Sequence, residues 1–291
     1  MSKRKAQEAP VVSSSEEDES SGAESDAADD SDDDGREGEL GEEEAAAAAG
    51  AAAVIAKTKV EGEERSAKEP ALPKNLEMRD HGKRVIVILE NAALETVKTN
   101  KGFQLLNAED HRGVHKKLKR EPAGSRPDIC HLELMALLDS PLNKAGLLQV
   151  FISTKKNVLI EVNPKIRLPR TYKRFAGLMV QLLHKLKIRA SEGPQWLLRV
   201  VKNPVTRHLP TRCQKYGMSC VGALVDAHEF VPSLPQDEPV VFVIGAMAHG
   251  HLDKTTTPYV QEFISVSEYP LSGAKAIDRL LGAFEKNWGI L

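Results

Sequence analysis

The sequence predicts an α/β fold in which helices flank a mostly parallel sheet. Several short runs are apolar on both faces and rich in β-branched residues, which is typical of buried strands. Between them lie segments with an apolar residue at every third or fourth position, which indicates helices. Alternation of these two patterns along a chain favours helices packed over a parallel sheet.

Residues 1–80 are predicted to form a disordered tail outside this fold. They contain 23 acidic and 10 basic residues, and 13–34 consists largely of Ser, Asp and Glu, so there is little to bury. The alanine-rich run 45–53 favours a transient helix but has no apolar face with which to dock. Lys3-Arg4-Lys5 is either a weak nuclear import element or incidental.

Residues 81–291 are predicted to form the folded domain, and their composition differs sharply from that of the tail. They contain 30 basic and 19 acidic residues, a net charge of +11. This favours a polyanionic partner, because Lys and Arg that neutralise phosphates release counterions; a basic surface without such a partner is the alternative. Three cysteines give no disulfide framework, and no apolar run approaches the length that spans a bilayer.

The strands are predicted from apolar runs of four to seven residues. The first is 84–90, and the runs 148–153 and 157–162, separated by a short polar turn, are expected to form an inserted β-hairpin. Further strands are predicted at 220–225, 240–244 and 263–266.

Two long helices are predicted from apolar stripes. The first begins at about Arg170, with Pro169 in the first helical position. Its stripe consists of Phe175, Leu178, Met179, Leu182, Leu183 and Leu186. The last helix has Ser272 as its expected N-cap, with an apolar face formed by Ile277, Leu280, Leu281, Phe284 and Trp288.

Two loops late in the chain are candidates for ligand binding. Gly245 and Gly250 follow the strand 240–244, where a backbone without side chains can approach a ligand; a plain turn is the alternative. A second loop, 266–272, precedes the last helix. The first strand, in contrast, is followed by no glycine-rich loop, and no phosphate-binding GxxxxGK[ST] sequence occurs. This late placement is unlike the Rossmann pattern.

Six segments, in order along residues 83–291, resemble the eukaryotic small-subunit pseudouridine N1-methyltransferase family, whose members have the knotted SPOUT fold. They are 126–129 (RPDI), 139–149 (DSPLNKAGLLQ), 157–164 (NVLIEVNP), 175–185 (FAGLMVQLLHK), 202–205 (KNPV) and 246–250 (AMAHG).

The resemblance implies a C-terminal trefoil knot and an S-adenosylmethionine pocket. The residues that it places in this pocket are Met218, Gly245, Gly250, Val266, Ser267, Glu268, Tyr269, Pro270 and Leu271. Met218 stands where the family has a small hydroxylated residue, so contact through the backbone alone, or none, is expected there. The resemblance further implies a homodimer in the nucleolus that acts on small-subunit rRNA with processome proteins.

Arginines are the expected RNA ligands. By resemblance, Arg126 contacts RNA and stabilises negative charge on the target base, and Asp128 orients it; an N-cap role for Asp128 is the alternative. Arg167, Arg170 and Arg174 match rRNA-contacting positions. The four-residue spacing of the last two predicts one shared helical face, for which a solvated surface is the alternative.

No metal is expected. His249, His251 and Asp253 have ligand-like spacing, but a zinc site needs three or four convergent ligands and no partner motif is present. Two other functions stay open at this point. One is a ribosome assembly factor that binds pre-rRNA without catalysis, and the other is a methylase of a different base or of a ribose hydroxyl.

Overall fold

The computed structural model describes residues 80–100, 102–191 and 193–290, so residues 1–79 of the predicted tail lie outside the described part of the chain. The strands are β1 (Arg84–Ala92), β2 (Thr96–Thr99), β3 (Gly102–Leu105), β4 (Leu148–Thr154), β5 (Leu159–Val162), β6 (Lys187–Arg189), β7 (Trp196–Val201), β8 (Gln214–Leu224), β9 (Pro239–Gly245) and β10 (Glu262–Ser265). The main α-helices are α1 (Arg112–Leu118), α2 (Pro127–Asp139), α3 (Pro141–Lys144), α4 (Tyr172–Lys185), α5 (Ala227–Ser233) and α6 (Gly273–Trp288).

Eight of these strands form one mixed sheet in the order β10-β8-β9-β1-β4-β5-β7-β6. The five strands from β10 to β4 are parallel to their neighbours, whereas β5, β7 and β6 continue the sheet with antiparallel pairings. The predicted hairpin is confirmed as β4 and β5, with Val150 opposite Val162. Strands β2 and β3 form a separate two-stranded sheet.

The apolar runs become strands because both faces of the sheet are covered. Along β1, Val85, Val87 and Leu89 belong to one buried cluster, which includes residues from α2, α4, α5 and α6. Ile86 and Ile88 point to the opposite face. That second cluster is closed by irregular segments that supply Val205, Leu209, Leu252 and Val260. Alternation of side chains to two buried faces explains an uninterrupted apolar sequence.

The predicted helices are present, with two corrections. Ser272 caps α6 as expected, since its side chain accepts a hydrogen bond from the Lys275 N–H. The first long helix, however, begins after the N-cap Thr171, so Pro169 does not occupy its first position. Leu186 does not join the buried stripe either. It takes a left-handed conformation (φ 59°) at the helix end and is 55% exposed, because the chain turns there into β6.

Strands β6 and β7 are the part of the main sheet that the sequence did not predict. Strand β7 has a mixed burial pattern and β6 is three residues long, so neither has a clear apolar period. Helices α1 and α5 were missed for the same reason, being seven residues each. Among the described residues, no helix is long and apolar enough to span a bilayer.

Candidate functional site

A cavity of about 690 Å³ lies at the carboxyl ends of the parallel strands β9 and β10, beside the middle of β8. In α/β sheets this edge is where ligands bind, because the loops that leave parallel strands converge there. Its walls come from the end of β9 and the loop after it, the loop between β10 and α6, a stretch of β8, and one face of α2. Its size is in the range of pockets that enclose a small organic ligand.

The structure brings nearly all the predicted cofactor residues to this one cavity. Those that line it are Met218, Gly245, Gly250, Val266, Ser267, Tyr269, Pro270 and Leu271. Glu268 is exposed and does not line it. Val266 is buried, whereas Tyr269 is 74% exposed at the rim, so the loop offers an apolar wall and an open aromatic side chain.

An irregularity in β8 explains how Met218 reaches the cavity. Phe263 and Ile264 are consecutive in β10, yet they pair with Gly217 and Ala223 of β8. Residues 218–222 therefore have no counterpart on β10, and the strand bends in this stretch. Met218 remains 8% exposed and pairs with Ile244 of β9. Ser219 and Cys220, which no sequence pattern indicated, also line the cavity.

Hydrogen bonds hold the two loops in shape. After β9, the Ala246 N–H donates to the carbonyl oxygen of Glu90 (2.8 Å). In the second loop, the Ser265 hydroxyl donates to the Ser267 carbonyl (2.9 Å), and the Ser267 hydroxyl accepts from the Tyr269 N–H (3.1 Å). Gly250 has φ +90°, a conformation that other residues rarely adopt. The pocket edge is therefore built largely from fixed backbone.

Arg126 lines the cavity next to Asp128 at the start of α2. Arg126 Nε lies 2.8 Å from Asp128 Oδ1, and its Nη2 lies 2.6 Å from Oδ2, so the predicted ion pair is present as a two-pronged contact. This hydrogen bond lowers the pKa of Asp128. The N-cap prediction is wrong, because Arg126 is the N-cap residue and Asp128 lies in the first turn. Asp128 itself does not line the cavity.

The cavity face of α2 contains Arg126, Ile129 and Glu133, whose spacing of three and four residues places them on one side of the helix. Glu133 is 1% exposed, and burial raises its pKa to about 8. No sequence pattern pointed to Glu133, because a single glutamate in a helix usually faces solvent. Its orientation depends on how α2 packs against α6.

The other predicted RNA ligands, Arg167, Arg170 and Arg174, do not line the cavity. Arg170 precedes α4, so the predicted helical face shared with Arg174 is wrong. Its guanidinium instead pairs with Asp139 through Nη1–Oδ2 (2.5 Å) and Nη2–Oδ1 (3.1 Å). Arg167 and Arg174 are exposed.

These three arginines lie near the face of α2 that points away from the cavity. His131 lies about 200° around the helix from Glu133. Its Nε2 donates a hydrogen bond to the Pro169 carbonyl (2.8 Å), and its ring stacks on Phe175. Asp139, the partner of Arg170, is at the opposite end of α2 from Arg126, about 20 Å along the axis. The candidate RNA ligands thus form two separate groups.

Within the described residues, no group of His, Cys, Asp and Glu is arranged to hold a metal ion. Asp253 instead accepts hydrogen bonds from the Thr255 and Thr256 N–H groups (3.0 and 2.8 Å), which closes the turn after Gly250. Cys130 and Cys213 are buried, whereas Cys220 is exposed.

The sequence of this chain is similar to those of one family of known proteins. A family described as EMG1/NEP1 methyltransferase matches residues 87–285. The ribosomal RNA small subunit methyltransferase NEP1 of Drosophila melanogaster is 54% identical over 215 residues, covering 72% of this chain and 84% of that protein. The protein of the same name from Homo sapiens is 53% identical over 211 residues, with the same shares covered.

A similar structure has also been solved. The crystal structure of Archaeoglobus fulgidus Nep1 bound to S-adenosylhomocysteine covers 72% of this chain and 99% of its own, with a TM-score of 0.53 and 23% sequence identity. At this identity the likeness shows the fold alone.

Proposed function

Because the chain belongs to the EMG1/NEP1 methyltransferase family, we propose that it transfers a methyl group from S-adenosylmethionine to N1 of a pseudouridine in small-subunit rRNA. The observation that supports this most is the convergence of Gly245, Gly250 and the loop 266–271 on one cavity, with Arg126 at its edge. The family's relatives are named as small-subunit rRNA methyltransferases, and the solved Nep1 structure contains S-adenosylhomocysteine.

The residues of the cavity suit such a methyl donor. Backbone groups of the two loops can bind the edge of an adenine, while Val266 and Leu271 offer apolar walls. Gly245 and Gly250 leave the backbone open to close approach. When bound, S-adenosylmethionine supplies an electrophilic methyl group on a sulfonium, so the protein's main task is to position the target base and exclude water.

Arg126 is proposed to act on the target base. N1 of pseudouridine carries a proton that must leave to solvent as the new N1–methyl bond forms, and negative charge develops on the ring. A guanidinium at the cavity edge stabilises that charge, and the two-pronged contact with Asp128 fixes its direction. Because the base must enter the cavity, we propose a nucleotide flipped out of a single-stranded rRNA loop.

Arg167, Arg170 and Arg174 are proposed to bind the rRNA backbone away from the cavity. Guanidinium groups bind phosphate with two parallel hydrogen bonds. Arg174 is exposed and, within the described residues, forms no ion pair. Arg170 must exchange its contact with Asp139 for a phosphate. These residues and Arg126 lie on different sides of α2. One RNA molecule must therefore reach around the helix, or two copies of this chain must bind the same RNA molecule.

Arg174→Ala is expected to weaken rRNA binding roughly tenfold and to lower the slope of log affinity against log salt by about 1, because one phosphate contact is lost. Fluorescence anisotropy with an rRNA hairpin at several salt concentrations measures both quantities. Lys185→Ala is the matched control, since it removes one exposed positive charge at the other end of the same helix. Equal effects of the two variants would show that only net charge matters.

Several further features belong to this proposal. We propose a homodimer that acts in the nucleolus, together with small-subunit processome proteins and near nascent rRNA. We also propose a trefoil knot at the C-terminal end of the domain 81–291, and a solvating or regulatory role for the acidic tail 1–80. Analytical ultracentrifugation of the full chain, with and without S-adenosylhomocysteine, tests the dimer.

The donor site is tested by calorimetry with S-adenosylhomocysteine. One molecule should bind per chain. Methyl transfer from the radiolabelled donor should then label a pseudouridine-containing hairpin and leave the matching uridine hairpin unlabelled, because C-linked pseudouridine alone has an N1 proton to replace. Absence of binding, or equal labelling of the two hairpins, would contradict the proposed function.

A further inference from the structure

The proposed function assigns no role to Glu133. It lies in α2, is 1% exposed, and lines the cavity. Within the described residues, neither Oε1 nor Oε2 has a hydrogen-bond partner. A buried carboxyl without a partner is unfavourable for folding, so such a group in a ligand cavity indicates a contact with the ligand.

The surroundings of Glu133 explain why its charge is not favoured in the unliganded protein. Burial raises the pKa of Glu133 to about 8, so near neutral pH the carboxyl is largely protonated. The neighbouring Cys130, one turn earlier in α2, is fully buried and offers no positive charge. Arg126 lies about 10 Å from Glu133 along the helix and is already paired with Asp128.

Gly273, which lies directly beside the Glu133 carboxyl, is a second and independent feature of this place. Gly273 is the first residue of α6 and follows the loop 266–272. A Cβ built on Gly273 would overlap Glu133 Oε1 and would lie 3.0 Å from its Cδ. The absence of a side chain at Gly273 therefore makes the space in which the carboxyl sits. That space adjoins the loop expected to bind the methyl donor.

We infer that Glu133 is a donor-binding residue, whose carboxyl accepts a hydrogen bond from an O–H or N–H group of the bound S-adenosyl compound. The inference rests on the proposed function, since it assigns a further residue to the same cavity. Three parts of the donor have suitable hydrogens, namely the ribose hydroxyls, the adenine 6-amino group and the ammonium group of the amino-acid tail. Any of them would satisfy a carboxyl oxygen that the protein leaves without a partner.

The test compares the full-length protein with Glu133→Ala and Glu133→Gln by calorimetry. For S-adenosylhomocysteine, Glu133→Ala should raise Kd roughly tenfold or more, and Glu133→Gln, which keeps one acceptor oxygen, should raise it less. Glu229→Gln is the matched control, because it makes the same change at an exposed position outside the cavity. Repeating the titrations with 5′-methylthioadenosine, which lacks the amino-acid tail, separates the adenosine part from the tail. A loss seen with both ligands points to the ribose or the adenine amino group, and a loss confined to S-adenosylhomocysteine points to the ammonium group.

Thermal melting separates a binding role from a structural one. Unliganded Glu133→Gln should melt at about the same temperature as the wild type, because one neutral polar group without a partner replaces another in the same space. The rise in melting temperature caused by S-adenosylhomocysteine should be smaller than in the wild type. Gly273→Ala should also weaken donor binding by displacing the carboxyl, and its effect should be smaller in the Glu133→Ala background.

Three results would overturn the inference. Unchanged Kd values in both Glu133 variants would exclude the contact. If unliganded Glu133→Gln melts at a lower temperature, and the free energy of this destabilisation equals that of its lost affinity, the role of Glu133 is structural. Normal donor affinity with slow methyl transfer would instead indicate a proton acceptor for the target base. Failure of the wild type to bind S-adenosylhomocysteine would contradict the proposed function itself, so the two failures are distinguishable.

Discussion

Gly245→Trp is expected to abolish methyl transfer while the fold remains intact. Gly245 ends β9 and lines the cavity, and a Cβ placed there would already lie 3.0 Å from Met247 Cε. An indole ring has to occupy the space proposed for the donor. We expect S-adenosylhomocysteine affinity to fall by roughly 100-fold or more, which corresponds to about 3 kcal/mol.

Gly177→Trp provides the matched control for this experiment. Gly177 is an exposed residue of α4, and a Cβ built on it meets nothing within 4 Å. This variant should keep the wild-type affinity for S-adenosylhomocysteine, measured by calorimetry, and both variants should have a native far-ultraviolet circular dichroism spectrum. Wild-type donor affinity in Gly245→Trp would show that the donor binds elsewhere.

Gly245→Trp also separates catalysis from a role in ribosome assembly. If the protein acts mainly as a pre-rRNA-binding assembly factor, Gly245→Trp should support full maturation of the small subunit in cells that lack the wild-type protein. If methylation itself is required, maturation should fail. Northern analysis of small-subunit rRNA precursors, together with an assay of the methylated nucleoside, distinguishes the two outcomes.

Arg126→Ala is expected to lower the rate of methyl transfer by about 10²–10³-fold, the range found when one donor that stabilises transition-state charge is removed. Donor affinity should change little, because Arg126 is assigned to the target base. The loss of an exposed ion pair with Asp128 should cost less than about 1 kcal/mol of stability. Single-turnover kinetics with saturating RNA measure the rate of the chemical step directly.

Two further variants test the role of the ion pair between Arg126 and Asp128. Arg126→Lys should recover only part of the rate, since an ammonium group cannot form the two-pronged contact with Asp128. Arg120→Ala is the control, because Arg120 is also paired with a partly exposed carboxylate, that of Glu95, but does not line the cavity. Equal loss of rate in Arg120→Ala and Arg126→Ala would remove Arg126 from the site.

The sequence predicted β1, β4, β9 and β10 of the parallel core because burial dictates them, but of β8 (Gln214–Leu224) it indicated only the last five residues, 220–224. In β1 and β9 both faces are covered, so nearly every residue is apolar and the strand is visible without knowledge of its neighbours. Strand β6 is the edge strand and β7 lies next to it, and both have partly exposed positions that accept polar residues. Their pairing is a property of the tertiary structure rather than of local sequence.

Residues of the candidate site were predictable only where they lie in contiguous segments. The loops around Gly245 and 266–271 could be identified because each follows a buried strand and resembles a family motif. Glu133 and Gly273, in contrast, are 140 positions apart, and their relation exists only once α2 packs against α6. The contact between Arg170 and Asp139 is of the same kind, and it replaced a helical face that spacing alone had suggested.

Nucleoside analysis of the methylated product measures the proposed chemistry most directly. The wild-type protein is incubated with S-adenosylmethionine and an rRNA hairpin containing one pseudouridine, and the digested RNA is separated and identified by mass spectrometry against synthetic standards. The result that we predict is N1-methylpseudouridine, formed by the wild type and absent with Gly245→Trp. A methyl group on N3, on a ribose hydroxyl or on a neighbouring uridine would contradict the assignment.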